Sequence, residues 1–372
     1  MLVHICCSVD SHYFLQELRK IYPCENLIGF FYNPNIHPRD EYDLRLQDVR
    51  RSCEKLQIPL IEGEYDFADW FDEVAGLESA EEKGERCALC FESRLIKTAL
   101  VALNLGESKI TTSLLTSPLK PQNELFTLGE NIAQRYELEF IAVDFRSNGG
   151  TQIQSALAKS ANLYRQNYCG CEFALLKQRE RKNQIALELF SEIGGRALKG
   201  SAKYNSEIFR KAWEYERNNM PFILQKNTIN AWRLLQGSVK MIGENGKKIA
   251  INSYIFAHSK AMKNQKIRDI KWHNIIFGDN KIDTKIEVGF GDNALFLSVK
   301  SVNKIFSTSY KSTIDMRYNP PKFDDELHLR AKLLGSESIK PIIALDSEIQ
   351  SDLVLNINAI FQNSDIFEIV EI

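Results

Sequence analysis

The chain opens on Leu2-Val3-His4-Ile5-Cys6-Cys7-Ser8-Val9-Asp10-Ser11, an apolar run that leads directly into a polar turn. The run predicts a buried strand, and apolar residues at helical spacing predict a helix over 10–22. The alternation continues, with strands expected at 27–32, 58–62, 109–112 and 138–143 and helices at 39–56, 87–105 and 122–136. Repeated strand–helix–strand units favour an α/β fold with a mostly parallel sheet between helices. Ligands bind beyond the carboxyl ends of such strands, so Cys6, Cys7 and Asp10 are expected at the mouth of the fold.

The turn after the first strand indicates which kind of α/β fold this is. Cys6-Cys7-Ser8-Val9-Asp10-Ser11 resembles the S-G-G-V-D-S loop of ATP pyrophosphatases, whose glycines let backbone N–H groups approach a pyrophosphate. Cysteines at the start of this loop block that approach and offer two thiol ligands. We therefore expect a Rossmann-like scaffold of the nucleotide-alpha-hydrolase or PP-loop type, with a loop that binds metal. Asp10 is either a metal ligand or proton donor, or the N-cap of the following helix.

Composition and charge indicate an ordinary soluble chain of two parts. Of the 372 residues, 44% are hydrophobic and 26% charged, and no apolar run approaches the ~20 residues that span a bilayer. With no secretory signal in the first residues, a cytoplasmic location without membrane contact is expected. Residues 1–195 carry 21 basic and 29 acidic side chains, whereas residues 196–372 carry 26 and 20. We predict a domain over 1–190 that bears the functional site, and an accessory domain over 196–372.

The accessory domain has a different pattern. Residues 206–236 have helical spacing, and from about 239 short alternating runs are broken by glycine, asparagine and aspartate. This pattern is typical of an α+β or β-rich appended domain. It contains a basic stretch flanked by aromatic residues: Lys260, Lys263, Lys266, Arg268 and Lys271, with Tyr254, Phe256 and Trp272. Such a stretch is either a tRNA contact or a solvated charged face.

Six of the eight cysteines form three close pairs, namely Cys6-Cys7, Cys87-x-x-Cys90 and Cys169-Gly170-Cys171. A disulfide framework is disfavoured, because a chain of this size builds a core without one. Clustered thiols in a reducing compartment favour metal binding or redox chemistry. Structural zinc would use four of the six, whereas an iron–sulfur cluster with a redox-active dithiol uses all six. Burial without function is the alternative for each pair, and it is the expectation for Cys24 and Cys53.

Several motifs, in this order along the chain, resemble the epoxyqueuosine reductase family of the QueH type: His4-Ile5-Cys6-Cys7-x-x-Asp10, Tyr32-Asn33-Pro34-Asn35-Ile36-His37-Pro38, Glu41-Tyr42, Arg86-Cys87-x-x-Cys90, Asp144-Phe145-Arg146 and Leu163-Tyr164-Arg165-Gln166-Asn167-Tyr168-Cys169-Gly170-Cys171. The resemblance covers about residues 1–180. It implies reduction of epoxyqueuosine to queuosine at the wobble position of tRNA with a GUN anticodon, without cobalamin and with an electron donor that the sequence does not identify.

The resemblance also implies a division of labour among the thiols. A [4Fe–4S] cluster would be held by Cys6, Cys7, Cys87 and Cys90. Cys169 and Cys171 would be a redox-active pair acting with Asp10, or the three residues would be ligands of one additional iron. Tyr168 and His37 are further candidates for the acid that the reaction needs.

Substrate contacts are expected from residue types that RNA-binding proteins use. Aromatic side chains stack on unstacked anticodon bases, and arginines pair with phosphates. The predicted contacts are Tyr32, His37, Tyr42, Arg146, Tyr164 and Arg165. Core packing of the tyrosines and a structural role for His37 are the alternatives.

Two other functions fit parts of the sequence, an ATP-dependent tRNA-modifying enzyme of the PP-loop type and a zinc-stabilised RNA-binding protein.

Overall fold

The computed structural model describes residues 1–192, 195–243, 245–278 and 283–372. The chain folds into two compact units. The first unit comprises Met1–Leu189, Asn205–Leu224 and Ile369–Ile372, and the second unit comprises Phe190–Tyr204 and Gln225–Glu368. The predicted domains meet between 190 and 196, where residues 193–194 lie outside the described residues. No helix of the described residues is long and apolar enough to cross a membrane.

The sheet of the first unit has five strands: β1 (Leu2–Ile5), β2 (Ile28–Phe31), β3 (Leu60–Glu62), β4 (Lys109–Thr112) and β5 (Glu139–Phe140). All pairs are parallel, in the order β3-β2-β1-β4-β5. The expected α/β fold with a parallel sheet is confirmed. Because the strand order reverses between β1 and β4, the carboxyl ends of these two strands border the crevice where open parallel sheets bind ligands.

Helices cover both faces of this sheet: α1 (Ser8–Ile21), α2 (Arg39–Leu56), α3 (Phe67–Glu73), α4 (Glu85–Leu105), α5 (Gln122–Arg135), α6 (Gly150–Ser160) and α7 (Glu172–Arg181), with a 3₁₀ turn at Ser113–Thr116. All four residues of β1 are buried. Val3 and Ile5 pack in one apolar cluster with Phe14 of α1, whereas Leu2 packs in another with Leu95 of α4. Successive strand residues point to opposite faces, so β1 needs a helical layer on each side.

The helix α8 (Ala202–Arg217) is followed by a long strand, β6 (Phe222–Ile242). The helix expected over 206–236 is therefore wrong beyond Arg217. Asn219 adopts a left-handed conformation with φ of 52°, and Pro221 lacks the N–H that a helix needs. The side chains of β6 then alternate in exposure along much of its length, which is the period of a strand.

The rest of the chain is rich in strands, as expected. The strands are β7 (Lys248–Ile251), β8 (Ser253–Ile255), β9 (Met262–Ile267), β10 (Lys271–Gly278), β11 (Asp283–Phe290), β12 (Leu295–Ser298), β13 (Ile342–Leu345) and β14 (Leu353–Glu371). Three helices lie between β12 and β13, namely α9 (Val299–Phe306), α10 (Thr313–Tyr318) and α11 (Phe323–Leu334). One sheet has the order β10-β11-β12-β13-β8, and the other has the order β7-β6-β14-β9. Both β9 and β10 are therefore edge strands, which leave one backbone edge open.

Candidate metal centre

Cys6, Cys7 and Asp10 lie where β1 ends and α1 begins, and all three are buried. Their sulfur and carboxylate atoms all lie within 4.8 Å of one another. The two Sγ atoms are 3.8 Å apart, and Cys6 Sγ lies 3.4 Å from Asp10 Oδ2. The hydroxyl oxygen of Ser113 accepts a hydrogen bond from the backbone N–H of Cys6 at 3.1 Å. The arrangement offers two thiols and one carboxylate to a single ion or cluster.

Asp10 belongs to this site rather than to the helix cap. Cys7 occupies the N-cap of α1, so the N-cap alternative for Asp10 is wrong. Its carboxylate accepts a hydrogen bond from Gln154 Nε2 of α6 at 2.6 Å. Burial raises the pKa of Asp10, and hydrogen bonds from Cys6, Cys7 and Gln154 act against that rise. A carboxyl group held in this way suits either a ligand or a proton donor.

Cys87 and Cys90 lie near the start of α4, one helical turn apart. Side chains three residues apart share a face of a helix, so the two thiols point to the same side. The backbone N–H of Lys83 donates to Cys87 Sγ at 3.3 Å. The buried Arg86 fixes the segment leading into the helix, because its Nη1 donates at 3.0, 2.8 and 2.8 Å to the carbonyls of Leu77, Glu78 and Ala80.

The loop Cys169-Gly170-Cys171 precedes α7 and packs against the loop between β2 and α2. The backbone N–H of His37 donates to the carbonyl of Gly170 at 2.9 Å. Gly170 has φ of 109°, which side chains of L-residues rarely adopt, and a Cβ there would lie 2.7 Å from the Ile36 side chain. The glycine therefore permits both the turn and the close approach of the two loops.

We expect Gly170→Ala to lower the free energy of unfolding by about 1–3 kcal/mol, because it adds backbone strain and a clash with Ile36. Gly149→Ala is the matched control. Gly149 also has positive φ, at 84°, but a Cβ there meets no atom within 4 Å. Denaturant unfolding of the metal-free proteins measures both changes. Equal losses in the two variants would contradict the role given to the Ile36 contact.

Arg45 of α2 holds the same cysteine loop from the other side. Its guanidinium donates to the carbonyls of Tyr168 and Cys169, both at 3.1 Å, and its Nε donates to Glu41 at 2.7 Å. Arg45 and Glu41 are both buried. A buried arginine whose donors are shared between a carboxylate and two carbonyls fixes the direction of the peptide backbone, and so the position of Cys169.

The three cysteine pairs converge in the first unit. Cys87 packs against the apolar cluster that contains Cys6 and Cys7. Cys90 and Cys171 belong to a neighbouring cluster, against which Cys169 packs. Among the described residues, the thiols of Cys87, Cys90, Cys169 and Cys171 do not form a group whose sulfur atoms all lie within 4.8 Å of one another, as the ligand atoms of Cys6, Cys7 and Asp10 do. All eight cysteines are free thiols, so the pairs form no disulfide framework.

Cys169 and Cys171 form a hydrogen-bonded thiol pair. The hydrogen bond from Cys171 holds the pKa of Cys169 well below its usual value, and the Lys120 ammonium acts in the same direction. The same hydrogen bond, together with burial, raises the pKa of Cys171. One thiolate beside one thiol is typical of cysteine pairs that form and break disulfides.

The two solitary cysteines differ from each other. Cys53 of α2 is buried, as expected, and burial raises its pKa to about 12. Cys24 is exposed, so the expectation of burial is wrong for that residue. It lies in the turn between α1 and β2, where little chain covers it.

The tyrosines predicted as stacking platforms are all buried. Tyr32 donates its hydroxyl hydrogen to Asp66 at 3.1 Å, and Tyr164 donates to Glu41 at 2.8 Å. Tyr42 packs edge-on against Phe31 within the core. These three rings therefore pack in the core, which was the alternative to stacking on bases, and none of them has a face exposed to an RNA base. Tyr168 is buried as well and donates its hydroxyl hydrogen to the carbonyl of His37.

Of the remaining predicted contacts, two keep accessible side chains. Arg165 is exposed and donates to Ser155 Oγ at 3.1 Å. His37 is partly exposed, stacks on Phe67 with ring centroids 4.9 Å apart, and lies 3.6 Å from a carboxylate oxygen of Glu172.

The side chain of Arg146 instead forms hydrogen bonds within the protein. Its guanidinium donates to the backbone carbonyls of Leu114, Leu115 and Lys120. An arginine with these partners positions a loop, and its donors are not free for a phosphate.

Sequence patterns did not single out two of the residues that build the site, namely Gln154, which bonds Asp10, and Lys120, which lies beside α4. Nothing in the sequence showed that Arg45 holds the cysteine loop through backbone carbonyls. Lys120 lies between two prolines and belongs to no motif.

Fold and site define an α/β protein with a cysteine-rich candidate metal centre at the carboxyl edge of its parallel sheet. A family model described as epoxyqueuosine reductase QueH matches residues 1–177. The epoxyqueuosine reductase QueH of Helicobacter pylori is 41% identical over 99% of both chains. This chain therefore belongs to the epoxyqueuosine reductase QueH family.

Other relatives match about half of this chain. The epoxyqueuosine reductase QueH of Thermotoga maritima is 33% identical over 50% of this chain and 95% of its own. That of Acinetobacter baylyi is 35% identical over 47% of this chain and 80% of its own. The Thermotoga protein is thus nearly complete within half the length of this chain. A solved U34-tRNA thiolase NcsA from Methanococcus maripaludis covers 44% of this chain and 66% of its own at 16% identity, with a TM-score of 0.24, a likeness that carries no argument.

Proposed function

We propose that this chain reduces epoxyqueuosine to queuosine at the wobble position of tRNA with a GUN anticodon. The meeting of three separated thiol pairs in one region supports the proposal, in a chain that is 41% identical to an epoxyqueuosine reductase. A cytoplasmic location suits it, because free thiols persist in a reducing compartment.

Cys6, Cys7, Cys87 and Cys90 fit a [4Fe–4S] cluster, since thiolates are soft ligands and such a cluster takes four of them. The donor set supports this choice, because the first two sulfurs lie 3.8 Å apart and Cys87 packs against the same apolar cluster. When bound, the cluster supplies single electrons. The protein's own contribution is to hold the thiols at the mouth of the sheet and to shield them from water.

Cys169 and Cys171 are the proposed two-electron donor. The epoxide, the Cys169 thiolate, the Cys171 thiol and one added proton give an alkene, water and one disulfide. Two C–O bonds break, while one S–S bond and the second bond of the alkene form. The two hydrogens of the water come from the Cys171 thiol and from Asp10, whose pKa burial raises. An electron donor that the sequence does not identify then restores the dithiol.

One additional iron is the alternative role for Asp10, Cys169 and Cys171. A carboxylate beside thiolates is an acceptable donor set for iron, and Asp10 already lies within 4.8 Å of two sulfurs. Iron content separates the two divisions, because a lone [4Fe–4S] cluster gives about four irons per chain and a further site gives about five.

The PP-loop type of scaffold is our proposal for the first unit. The strand order with its reversal beside β1, and a turn directly after β1, support it. The ATP-dependent alternative is disfavoured, because Cys6 and Cys7 carry side chains where glycines would let a phosphate approach. Saturable binding of ATP to the purified protein would revive that alternative.

The deciding experiment is anaerobic incubation of the brown, iron-loaded protein with dithionite and tRNA that carries epoxyqueuosine. Nucleosides from the digested tRNA are then analysed by mass. We expect the modified nucleoside to lose the mass of one oxygen atom. An unchanged nucleoside defeats the proposal, and a colourless preparation that holds zinc would favour the RNA-binding alternative.

We further propose that the accessory domain, predicted over 196–372, holds the body of the tRNA. Four of its basic residues, Lys263, Lys266, Arg268 and Lys271, are exposed on or beside the edge strands β9 and β10. Within the described part of the chain, no carboxylate forms an ion pair with any of the four. Phe290 is the cross-strand neighbour of Lys271 and is 39% exposed.

The aromatic residues expected to flank this surface do not all face solvent. Tyr254 and Phe256 are buried, and Trp272 donates its indole N–H to the carbonyl of Ile349 at 3.1 Å. The contact we propose is therefore mainly electrostatic, with phosphates rather than stacked bases.

The double variant Lys263→Gln/Lys266→Gln is expected to raise KM for tRNA about tenfold at physiological salt and to flatten its salt dependence, since two phosphate contacts are lost. Iron content and kcat stay unchanged. Lys226→Gln is the matched control, because Lys226 is exposed but paired with Asp365 at 2.7 Å. A KM equal to that of the parent chain contradicts the proposed contact.

A further inference from the structure

Lys120 lies in a loop that a single arginine holds in place. The loop runs from the 3₁₀ turn Ser113–Thr116 to the start of α5. Arg146 donates from Nε to the carbonyl of Leu115 at 2.6 Å, from Nη1 to that of Lys120 at 2.8 Å and from Nη2 to that of Leu114 at 3.1 Å. Three hydrogen bonds from one rigid guanidinium fix the backbone of the loop, and so the point from which the lysine side chain leaves it.

The lysine side chain reaches α4 beside its two cysteines. Lys120 Nζ lies 5.5 Å from the centroid of the Phe91 ring. Phe91 directly follows Cys90 and lies one turn after Cys87, and it packs in the apolar cluster that contains Cys6 and Cys7. Within the described ranges, no carboxylate is ion-paired with this ammonium. No carboxylate therefore lies within 4 Å of this ammonium in the described part of the chain.

The ring of Phe91 connects this ammonium to the cysteines, because it packs in the cluster that contains Cys6 and Cys7 and against which Cys87 also packs. Arg94 of α4 is a second cation in this region, and its guanidinium donates to Asn33 Oδ1.

We propose that Lys120 is the built-in cation of the metal centre, which partly neutralises the thiolate ligands and makes the bound cluster easier to reduce, and that Arg146 is the positioning residue for this charge. The inference rests on the proposed function in one respect, that a cluster is bound. A positive charge beside a redox centre favours its reduced form, because reduction adds negative charge.

The placement also explains why a lysine suits this position. An unneutralised group of thiolates in an apolar pocket is costly, since like charges repel strongly where water is excluded. Lys120 supplies one positive charge on a flexible side chain, and all the sulfurs remain available as iron ligands.

The test compares Lys120→Met, which removes the charge at similar length, with Lys120→Arg, which keeps it. Each variant is loaded with iron and titrated anaerobically while the visible spectrum is followed. We expect Lys120→Met to keep its iron, to be reduced at a more negative potential and to lose about 10–100-fold in turnover. Lys120→Arg restores most of the potential, and Arg146→Met shifts it in the same direction as Lys120→Met.

Lys159→Met, at an exposed position of α6, is the control and leaves the potential unchanged. An unchanged potential in Lys120→Met overturns the proposal. If that variant folds but binds no iron, retention of iron by Lys120→Arg supports the charge, and equal loss in both overturns it. A parent chain that takes up no iron defeats the proposed function itself, which separates the two failures.

Discussion

Cys87→Ala is expected to abolish iron binding and, with it, epoxide reduction, a loss on the order of 10³-fold or more in turnover. The thiol accepts a hydrogen bond from the Lys83 backbone and packs against the cluster that contains Cys6 and Cys7. Alanine offers no ligand atom, and the other thiol of α4, Cys90, is already one of the four proposed ligands. Iron per chain, the visible absorption band and nucleoside mass measure the three effects.

Two controls make this result specific. Thermal unfolding of the metal-free variant shows that the chain still folds, as expected for a partly exposed side chain. Cys24→Ala removes an exposed thiol outside the site and should keep both colour and activity. A Cys87→Ala protein with as much iron as the parent chain would remove Cys87 from the ligand set.

Cys171→Ala is expected to retain the visible absorption of the bound iron but to lose turnover. The variant should keep most of its iron, because the four proposed cluster ligands are intact, yet it should lose about 10³-fold or more in turnover because no dithiol remains. The structure gives the reason, since Cys171 is the hydrogen-bond donor that stabilises the Cys169 thiolate. Iron analysis and the nucleoside assay on one preparation measure both effects.

The opposite outcome is also informative. If Cys171→Ala loses as much iron as Cys87→Ala, then Cys171 is a metal ligand and the division of the six thiols proposed above is wrong. Loss of about one iron per chain would instead favour the additional iron. Cys53→Ala, a buried thiol of α2, controls for the removal of a buried sulfur as such.

The sequence predicted the first unit well, because its elements follow simple rules. The helix α2 has the bounds that its periodicity predicted, 39–56, and β4 has those of its apolar run, 109–112. The helix expected over 206–236 was wrong because β-branched and aromatic residues after Pro221 also fit a helical period over a short window. Pairing with distant strands, which no local pattern shows, decides the structure there.

The sequence singled out the cysteines of the candidate site, but it did not show which residues hold them in place. Cysteine pairs are conspicuous in a sequence, whereas Arg45 and Arg146 act on backbone carbonyls, which every residue has. Nothing local distinguishes an arginine that will clamp a loop from one that will meet a phosphate. The tyrosines illustrate the same limit, because Tyr164 in a motif next to Arg165 is buried while its neighbour is exposed.

The distribution of the thiols along the chain has a consequence for biosynthesis. Cys6 and Cys7 leave the ribosome first, and Cys87 and Cys90 follow on one helix, but the loop at Gly170 docks on its partner at His37 only after some 130 further residues have been made. A nascent chain therefore carries an open, incomplete pocket for much of its synthesis. The proposed cluster therefore meets the complete set of six paired thiols only after this docking.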